Sequence, residues 1–220
     1  MVIDHFDRAG NTVSALAYAA REESSTSDWY LRIGKRLFDL FTALIGCVLF
    51  SPLMLAAAVG VRLESKGPVI FKQERLGLGG KTFAIYKFRS MRIDAEASGP
   101  AWAKKNDGRI TRFGRFLRKY HVDELPQLVN ILRGDMSMVG PRPERAYFYA
   151  QFERDIPEFR DRLAVKPGLT GWAQVNGGYD IGPKDKCRLD KAYIRCLSLL
   201  TDCLILLKTV TVVFKGLGAR

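Results

Sequence analysis

Histidine is almost absent from this sequence. Only His5 and His121 occur, and they give no zinc-ligand spacing. Cysteine is sparse as well: Cys47, Cys187, Cys196 and Cys203 contain no Cys-x-x-Cys pair. With no sign of secretion, they read as free thiols in a reducing compartment rather than a disulfide framework. No helix-opening Gly-x-Gly-x-x-Gly follows a strand, so a dinucleotide fold has no support. The first residues, Met-Val-Ile-Asp-His, lack the basic-then-apolar pattern of a cleaved signal peptide. Acid is the scarcer charge, 23 Asp and Glu against 35 Lys and Arg, for a formal net charge of +12. Such a balance calls for an anionic partner: nucleic acid, an anionic membrane surface or a phosphorylated metabolite. The 220 residues suffice for one domain with a real core and room for one appended element.

Long apolar runs are also few. Residues 1–28 are mostly polar and read as a tail, with a short helix expected over 13–21. Residues 37–61 form the one long apolar run, which as a straight helix would reach about 37 Å, enough to cross a bilayer. Three details argue against a simple crossing. Ser51-Pro52 falls mid-run, where proline removes a backbone donor and bends a helix. Asp39 sits near its start. Both flanks are basic, with Arg32, Lys35 and Arg36 before it and Arg62, Lys66, Lys72 and Arg75 after, whereas a spanning helix carries positive charge mainly on its cytoplasmic side. Both ends emerging on one face is the preferred reading, giving a re-entrant segment over 29–66. An ordinary spanning helix and a buried core helix are the alternatives.

Beyond it the period changes. Two β-rich runs over 68–90 are separated by Gly77-Leu78-Gly79-Gly80, which predicts a β-hairpin whose glycines serve a plain turn. Lys87 and Arg89 alternate on the second strand and share a face. Residues 91–108 read as a connection.

The richest stretch is 109–144. Arginine recurs at 109, 112, 115 and 118, with Ile110, Phe113 and Leu117 on another side, the pattern of an amphipathic helix. Its basic side could be solvated, lie on anionic lipid or bind phosphate, and Arg118, just before two acids, is placed for the last role. Asp123 and Glu124 follow. Asp123 could be a helix N-cap, since Leu125, Leu128, Val129 and Leu132 continue in helical register until Gly134 stops them. Pro126 already suits the first turn, however, and a second carboxylate under a cationic field stays ionised, available as a nucleophile or metal ligand. Gly140-Pro141-Arg142-Pro143 displays Arg142 from a stiff loop, or is simply a turn. Residues 146–164 read as helix interrupted at Pro157, 179–186 as loop, and 196–215 as an apolar helix, bearing Asp202 and Lys208, that lies at a membrane interface or packs on the domain.

These blocks in order, KRLFDL, the apolar segment with Ser-Pro, GPVIFKQERLG, YKFRSM, VDELPQLVNILRGDMSMVGPRPE and VKPGLTGWAQVNG followed by LDKAYI, resemble the bacterial sugar transferases, the small monotopic phosphoglycosyl transferases. The likeness covers roughly residues 34–210. It implies an α+β, mainly helical, monotopic membrane protein: a flexible tail over 1–28, a re-entrant membrane helix broken at Ser51-Pro52 over 29–66, and a cytoplasmic catalytic domain over 67–220 with a small β-hairpin and interfacial amphipathic helices. It places the protein on the cytoplasmic face of the bacterial inner membrane. The implied reaction moves a sugar-1-phosphate from a UDP-sugar to polyprenol (undecaprenyl) phosphate and releases UMP. Exopolysaccharide or other glycoconjugate synthesis begins with that step. By resemblance, Asp123 is the nucleophile that carries a covalent phospho-sugar, Glu124 the Mg²⁺ ligand, and Lys87, Arg118 and Arg142 the phosphate- or substrate-binding set. The implied partners are UDP-sugar, polyprenol phosphate, membrane lipid, downstream glycosyltransferases and a second copy in a homodimer, but no nucleic acid. Some members carry a large N-terminal membrane domain, for which this sequence leaves no room. After VNG the sequence Gly-Tyr-Asp-Ile-Gly-Pro-Lys-Asp-Lys-Cys lies where members differ, which leaves the sugar open. Against a membrane-anchored nucleic-acid binder, the basic residues are not interleaved with stacking aromatics in a recognisable motif. A scaffold without chemistry is the remaining alternative, and it would survive loss of Asp123.

Overall fold

The computed structural model describes residues 29–97, 99, 107–177 and 181–214. The helix expected over 13–21 lies outside them. After a π-helical turn at Tyr30–Gly34, helix α1 runs over Lys35–Glu64, about 45 Å at 1.5 Å per residue. It is the one described helix long and apolar enough to cross a membrane. A break was expected at Ser51-Pro52, but helical hydrogen bonding continues through the pair. The reason is local. Pro52 has no N–H to offer the Val48 carbonyl four residues back, and Ser51 Oγ donates to that same carbonyl at 2.8 Å.

Both ends of α1 are tied to the same body. At its start Lys35 Nζ donates to Val139 O at 3.0 Å and to Asp202 Oδ2 at 2.7 Å, and Arg36 donates to the carbonyls of Ile131 and Leu132. Asp39 accepts from Ser137 Oγ and Met138 N, both at 2.9 Å. At its end Glu64 accepts from Phe113 N at 2.7 Å, while Ala57 and Val61 pack with Phe88, Leu117 and Val122. Between the two anchors apolar side chains stand out: Val48 is 70% exposed, Leu49 66% and Leu55 69%.

The hairpin forms as expected. Strands β1 (Ile70–Leu76) and β2 (Thr82–Phe88) are antiparallel, with Ile70 opposite Phe88 and Leu76 opposite Thr82. The glycines serve the turn: Gly79 and Gly80 take φ of 64° and 80°, which side chains with a Cβ seldom adopt. Helix α2 (Arg112–Lys119) starts with the Thr111 hydroxyl accepting from Gly114 N, so Arg109 falls outside it and pairs with Asp107.

Asp123 is not a helix N-cap. It sits in a 3-10 turn, Val122–Glu124, entered through His121 at φ 57°, and helix α3 (Gln127–Arg133) begins beyond Pro126. Gly134, at φ 94°, closes α3. Its buried face is carried by Gln127, Leu128, Asn130 and Ile131, while Val129, expected inside, is exposed. The helix is turned this way because Asn130 completes the hairpin edge. Its Oδ1 accepts from Tyr86 N at 3.0 Å and its Nδ2 donates to Ala84 O at 2.8 Å, so the amide acts as a strand residue would.

A second, parallel pair joins β3 (Ser137–Val139) to β4 (Gly168–Thr170). Gly140 crosses Gly168 so closely that a Cβ on Gly168 would lie 2.1 Å from Gly140 N, which is why both positions need glycine. Helix α4 (Ala146–Asp155) gives way at Pro157 to a 3-10 run, Pro157–Ala164. Helices α5 (Trp172–Gly177), α6 (Pro183–Arg195) and α7 (Leu199–Phe214) complete the described chain. The loop expected over 179–186 is helical from Pro183, a residue whose missing N–H costs nothing in a first turn; residues 178–180 lie outside the description. The main core gathers Ala43 of α1, Leu128 and Ile131 of α3, Val139, Trp172, Tyr193 and Ile205 of α7. All four cysteines are free.

Candidate active site

The hairpin, the 3-10 turn and the loop after β3 converge on one cavity of about 1130 Å³. Lys87 reaches it from β2, Asp123 and Glu124 from the 3-10 turn, Arg118 from the end of α2, and Arg142 from the Pro-Arg-Pro loop; all five line it. The five sequence-predicted residues are therefore brought together. Ser51 and Pro52 are not among the lining residues and are exposed. Lys87 and Arg89 diverge: Lys87 turns to Glu124, whereas Arg89 donates to the carbonyl and hydroxyl of Ser65 at 2.8 Å.

Asp123 and Glu124 are equally buried, 5% and 6% exposed, yet differ in electrostatics. Glu124 Oε1 accepts from Lys87 Nζ at 3.0 Å and from Arg142 Nη2, while Oε2 accepts from Arg142 Nη1 at 3.0 Å. Such a two-pronged guanidinium grip is the strong form of the pair. Burial alone would raise the Glu124 carboxyl, but the Arg142 and Lys87 charges hold it well below the usual range. Asp123 receives no side-chain hydrogen bond among the described residues. Burial raises its carboxyl, the Glu124 charge raises it further, and Lys87, Arg118 and His121 only partly offset this. Arg118 Nη1 and His121 Nδ1 are buried with no hydrogen-bond partner among the described residues. Unpaired polar atoms at a buried site cost free energy unless a ligand pairs with them.

The support beneath Arg142 was not legible in the sequence. Arg162, 1% exposed, donates from Nη2 to the Arg142 carbonyl at 2.9 Å and from Nε to Asp190 Oδ2 at 2.8 Å. Its guanidinium lies 4.5 Å from the Phe159 ring centre. Glu144, next in the loop, is held by Lys186 at 3.1 Å and Arg75 at 3.5 Å. No local pattern marks Arg162 or Lys186, because each meets its partner only through the fold; Asp190 lies within the LDKAYI block but had no role there.

Magnesium was expected on Glu124. The described residues contain no group of three His, Cys, Asp or Glu side chains that could hold a metal, and Glu124 is engaged by two cations. The donor set still fits Mg²⁺ in its common mode, one or two carboxylates with the remaining positions left to phosphate and water.

Adjacent buried carboxylates, a cationic fork and unused guanidinium donors in one cavity define an anion-handling site suited to phosphoryl transfer. The chain belongs to the bacterial sugar transferase family, whose sequence model matches residues 30–216. It is 49% identical over 189 residues to the UDP-N-acetylgalactosamine-undecaprenyl-phosphate N-acetylgalactosaminephosphotransferase of Aeromonas hydrophila, covering 84% of this chain and 45% of that protein. It is 47% identical over 195 residues to the UDP-glucose:undecaprenyl-phosphate glucose-1-phosphate transferase of Xanthomonas campestris pv. campestris, covering 86% and 40%. With the exopolysaccharide production protein PSS of Rhizobium leguminosarum bv. phaseoli it shares 43% identity over 185 residues, covering 80% and 92%. The chain thus spans under half the length of the first two relatives and nearly all of the third.

Proposed function

We propose that this protein transfers a sugar-1-phosphate from a UDP-sugar to polyprenol phosphate, with release of UMP. The observation that carries the reading is Asp123: a buried carboxylate with no hydrogen bond from the described residues, beside Glu124, in a cavity lined by Lys87, Arg118 and Arg142. The relatives' names supply the substrate class.

In the first displacement an Asp123 oxygen attacks the sugar-bearing β-phosphorus. The bond from that phosphorus to the bridging oxygen breaks, and the oxygen leaves with UMP. An acyl phosphate carrying the sugar remains. In the second, an oxygen of polyprenol phosphate attacks the same phosphorus, the bond to Asp123 breaks, and the carboxylate is restored. The sugar C1–O bond is untouched, so the anomeric configuration is kept. Arg118 supplies unused donors to phosphate oxygens, and the Arg142 fork and Lys87 keep Glu124 ionised beside them. Glu124, releasing one of its cationic partners, would hold Mg²⁺ against the diphosphate. When bound, that ion offsets the charge on the departing UMP.

The same reading gives α1 a role. Both of its ends are tied to one body while its middle presents Val48, Leu49 and Leu55 outward, which supports a segment that enters the cytoplasmic face of the inner membrane and returns, turning at Ser51-Pro52 by a bend that leaves helical hydrogen bonding in place. The site then stands at the depth of a lipid phosphate, where an initiating step can hand its product to downstream glycosyltransferases.

The test is UMP release by the purified protein in lipid nanodiscs, given undecaprenyl phosphate, Mg²⁺ and a panel of UDP-sugars. Acceptor-dependent turnover with at least one sugar is expected. Release with none of them overturns the reading.

A further inference from the structure

Among the described residues, His121 is the one residue other than glycine with a positive φ, 57°. It stands just past α2, where the chain enters the 3-10 turn that bears Asp123 and Glu124. Its backbone is pinned on both sides. The His121 N–H donates to the Arg118 carbonyl, and the His121 carbonyl accepts from Glu124 N, both at 3.1 Å. Val122, next in the chain, is buried in one core with Leu117 and Phe88. Glycine and asparagine are the residues that usually leave a helix in this conformation, glycine without the cost of a Cβ. A histidine here keeps a strain that glycine would remove.

No hydrogen bond from the described residues to Nδ1 offsets that strain. Nδ1 is buried without a partner among them, and His121 lines the cavity together with Asp123. Arg118, three residues back, shows the same combination through its Nη1. A tetrahedral group with several oxygens, seated on Asp123, can accept from both nitrogens, whereas an acceptor with a single oxygen serves one. Backbone strain retained at a cavity points to function rather than to packing.

We propose that His121 is a further catalytic residue of the transfer: its Nδ1–H donates to a non-bridging oxygen of the sugar-bearing phosphoryl group as that group passes to and from Asp123. The proposal rests on the transferase reading. No proton changes hands in this role, and the bonds made and broken at phosphorus are those already given. Charge in such a transfer is spread over the three equatorial oxygens in the transition state. A donor aimed there acts on turnover more than on binding of the nucleotide sugar.

His121→Gly and His121→Asn, both in nanodiscs, test this. Glycine keeps the backbone conformation and removes the donor. The burst of UMP released without acceptor is expected to slow about a hundredfold, with the KM for the UDP-sugar unchanged and Tm equal or higher. Asparagine tolerates the left-handed conformation and carries an amide nitrogen in the place of Nδ1, so it should recover most of the lost rate. A wild-type burst in His121→Gly overturns the proposal. So does a loss that asparagine leaves unrecovered, or a raised KM with unchanged turnover, which would assign His121 to binding alone. A second measurement needs no turnover. The chain has two histidines, so ring-nitrogen NMR of histidine-labelled protein assigns His121 by comparison with His5→Ala. Beryllofluoride, a stand-in for a phosphoryl group on a carboxylate, is expected to shift the Nδ1 signal, and Asp123→Asn should abolish the shift. Bound beryllofluoride, seen by fluorine NMR, with Nδ1 unmoved overturns the proposal even if UMP is released. A shift without UMP release from any UDP-sugar keeps the contact and removes the transferase reading.

Discussion

Four of the buried carboxylates, Asp39, Asp202, Asp123 and Glu124, fall into two clusters that the fold treats differently. At the root of α1, Asp202 accepts from Tyr193 through Oδ1 at 2.8 Å and from Tyr30 and Lys35 through Oδ2 at 2.5 and 2.7 Å, and Asp39 is bonded to Ser137 and Met138. Neither acid lines the cavity. At the cavity, Glu124 is as well served by Lys87 and Arg142, but Asp123 beside it is not, and Arg118 Nη1 has no acceptor among the described residues. A satisfied buried network stabilises one arrangement. An incompletely satisfied one that opens on a cavity keeps its free energy available for a ligand. The root cluster also reaches the site indirectly. Lys35 and Tyr193 both donate to the Val139 carbonyl, just ahead of the loop bearing Arg142.

Substitution at Asp123 gives the largest effect. Asp123→Asn is expected to lower turnover about a thousandfold or more, as loss of a covalent nucleophile does, while membrane association is retained. Its stability should move the other way. The Asp123 carboxyl is raised in the folded protein above its ordinary 3.8, so the unfolded chain ionises first as pH rises. Ionised Asp123 therefore opposes folding above that raised value, and the neutral amide relieves it. A thermal melt at neutral pH should show an equal or higher Tm for the variant. By the same sign, the UMP burst of the wild type should rise with pH through an inflection above 3.8. A stable, fully active Asp123→Asn protein would erase the distinction between the clusters.

Asp202→Asn probes the other cluster and should reverse the pattern. Removing a fully buried charge from Lys35 and two phenols is expected to cost about 3–5 kcal/mol, a fall in Tm of roughly 6–20 °C at this chain length. The UMP burst per folded molecule, measured below the transition, should remain near wild type. A loss of burst with no loss of Tm would assign Asp202 to the chemistry instead.

The smallest expected effect is that of Arg118→Gln. Its guanidinium donor, unpaired among the described residues, contributes little to the protein without ligand, so Tm should change by less than about 2 °C. The KM for the UDP-sugar should rise about tenfold, as expected for one charge-assisted bond to phosphate. A wild-type KM would show that this donor points away from the substrate.

Much of the site was legible in the sequence because its parts are local. Asp123, Glu124 and Arg118 lie within one short stretch, and the Pro-Arg-Pro loop announces Arg142 by its own stiffness. The hairpin, its glycine turn and the Gly134 stop also follow from side-chain period and backbone sterics within a few residues. A proline at Ser51-Pro52 predicts an end to the helix, but the serine next to it takes up the freed Val48 carbonyl at 2.8 Å and the helix continues. The face of α3 was misread for a similar reason. Periodicity counts apolar residues, whereas a polar Asn130 is the residue that docks.

The sequence alone determined the hairpin, α1, α2 and the stop of α3, the excess of positive charge and the residue types available for phosphoryl transfer, since these depend on covalent geometry and short-range spacing. Tertiary structure decided which charges meet. Lys87 and Arg142 find Glu124, Arg162 finds Asp190 beneath the loop, and α7 meets α1 through Asp202 and Lys35. Ion pairing and burial depend on distance in space, and only packing of the core sets that distance.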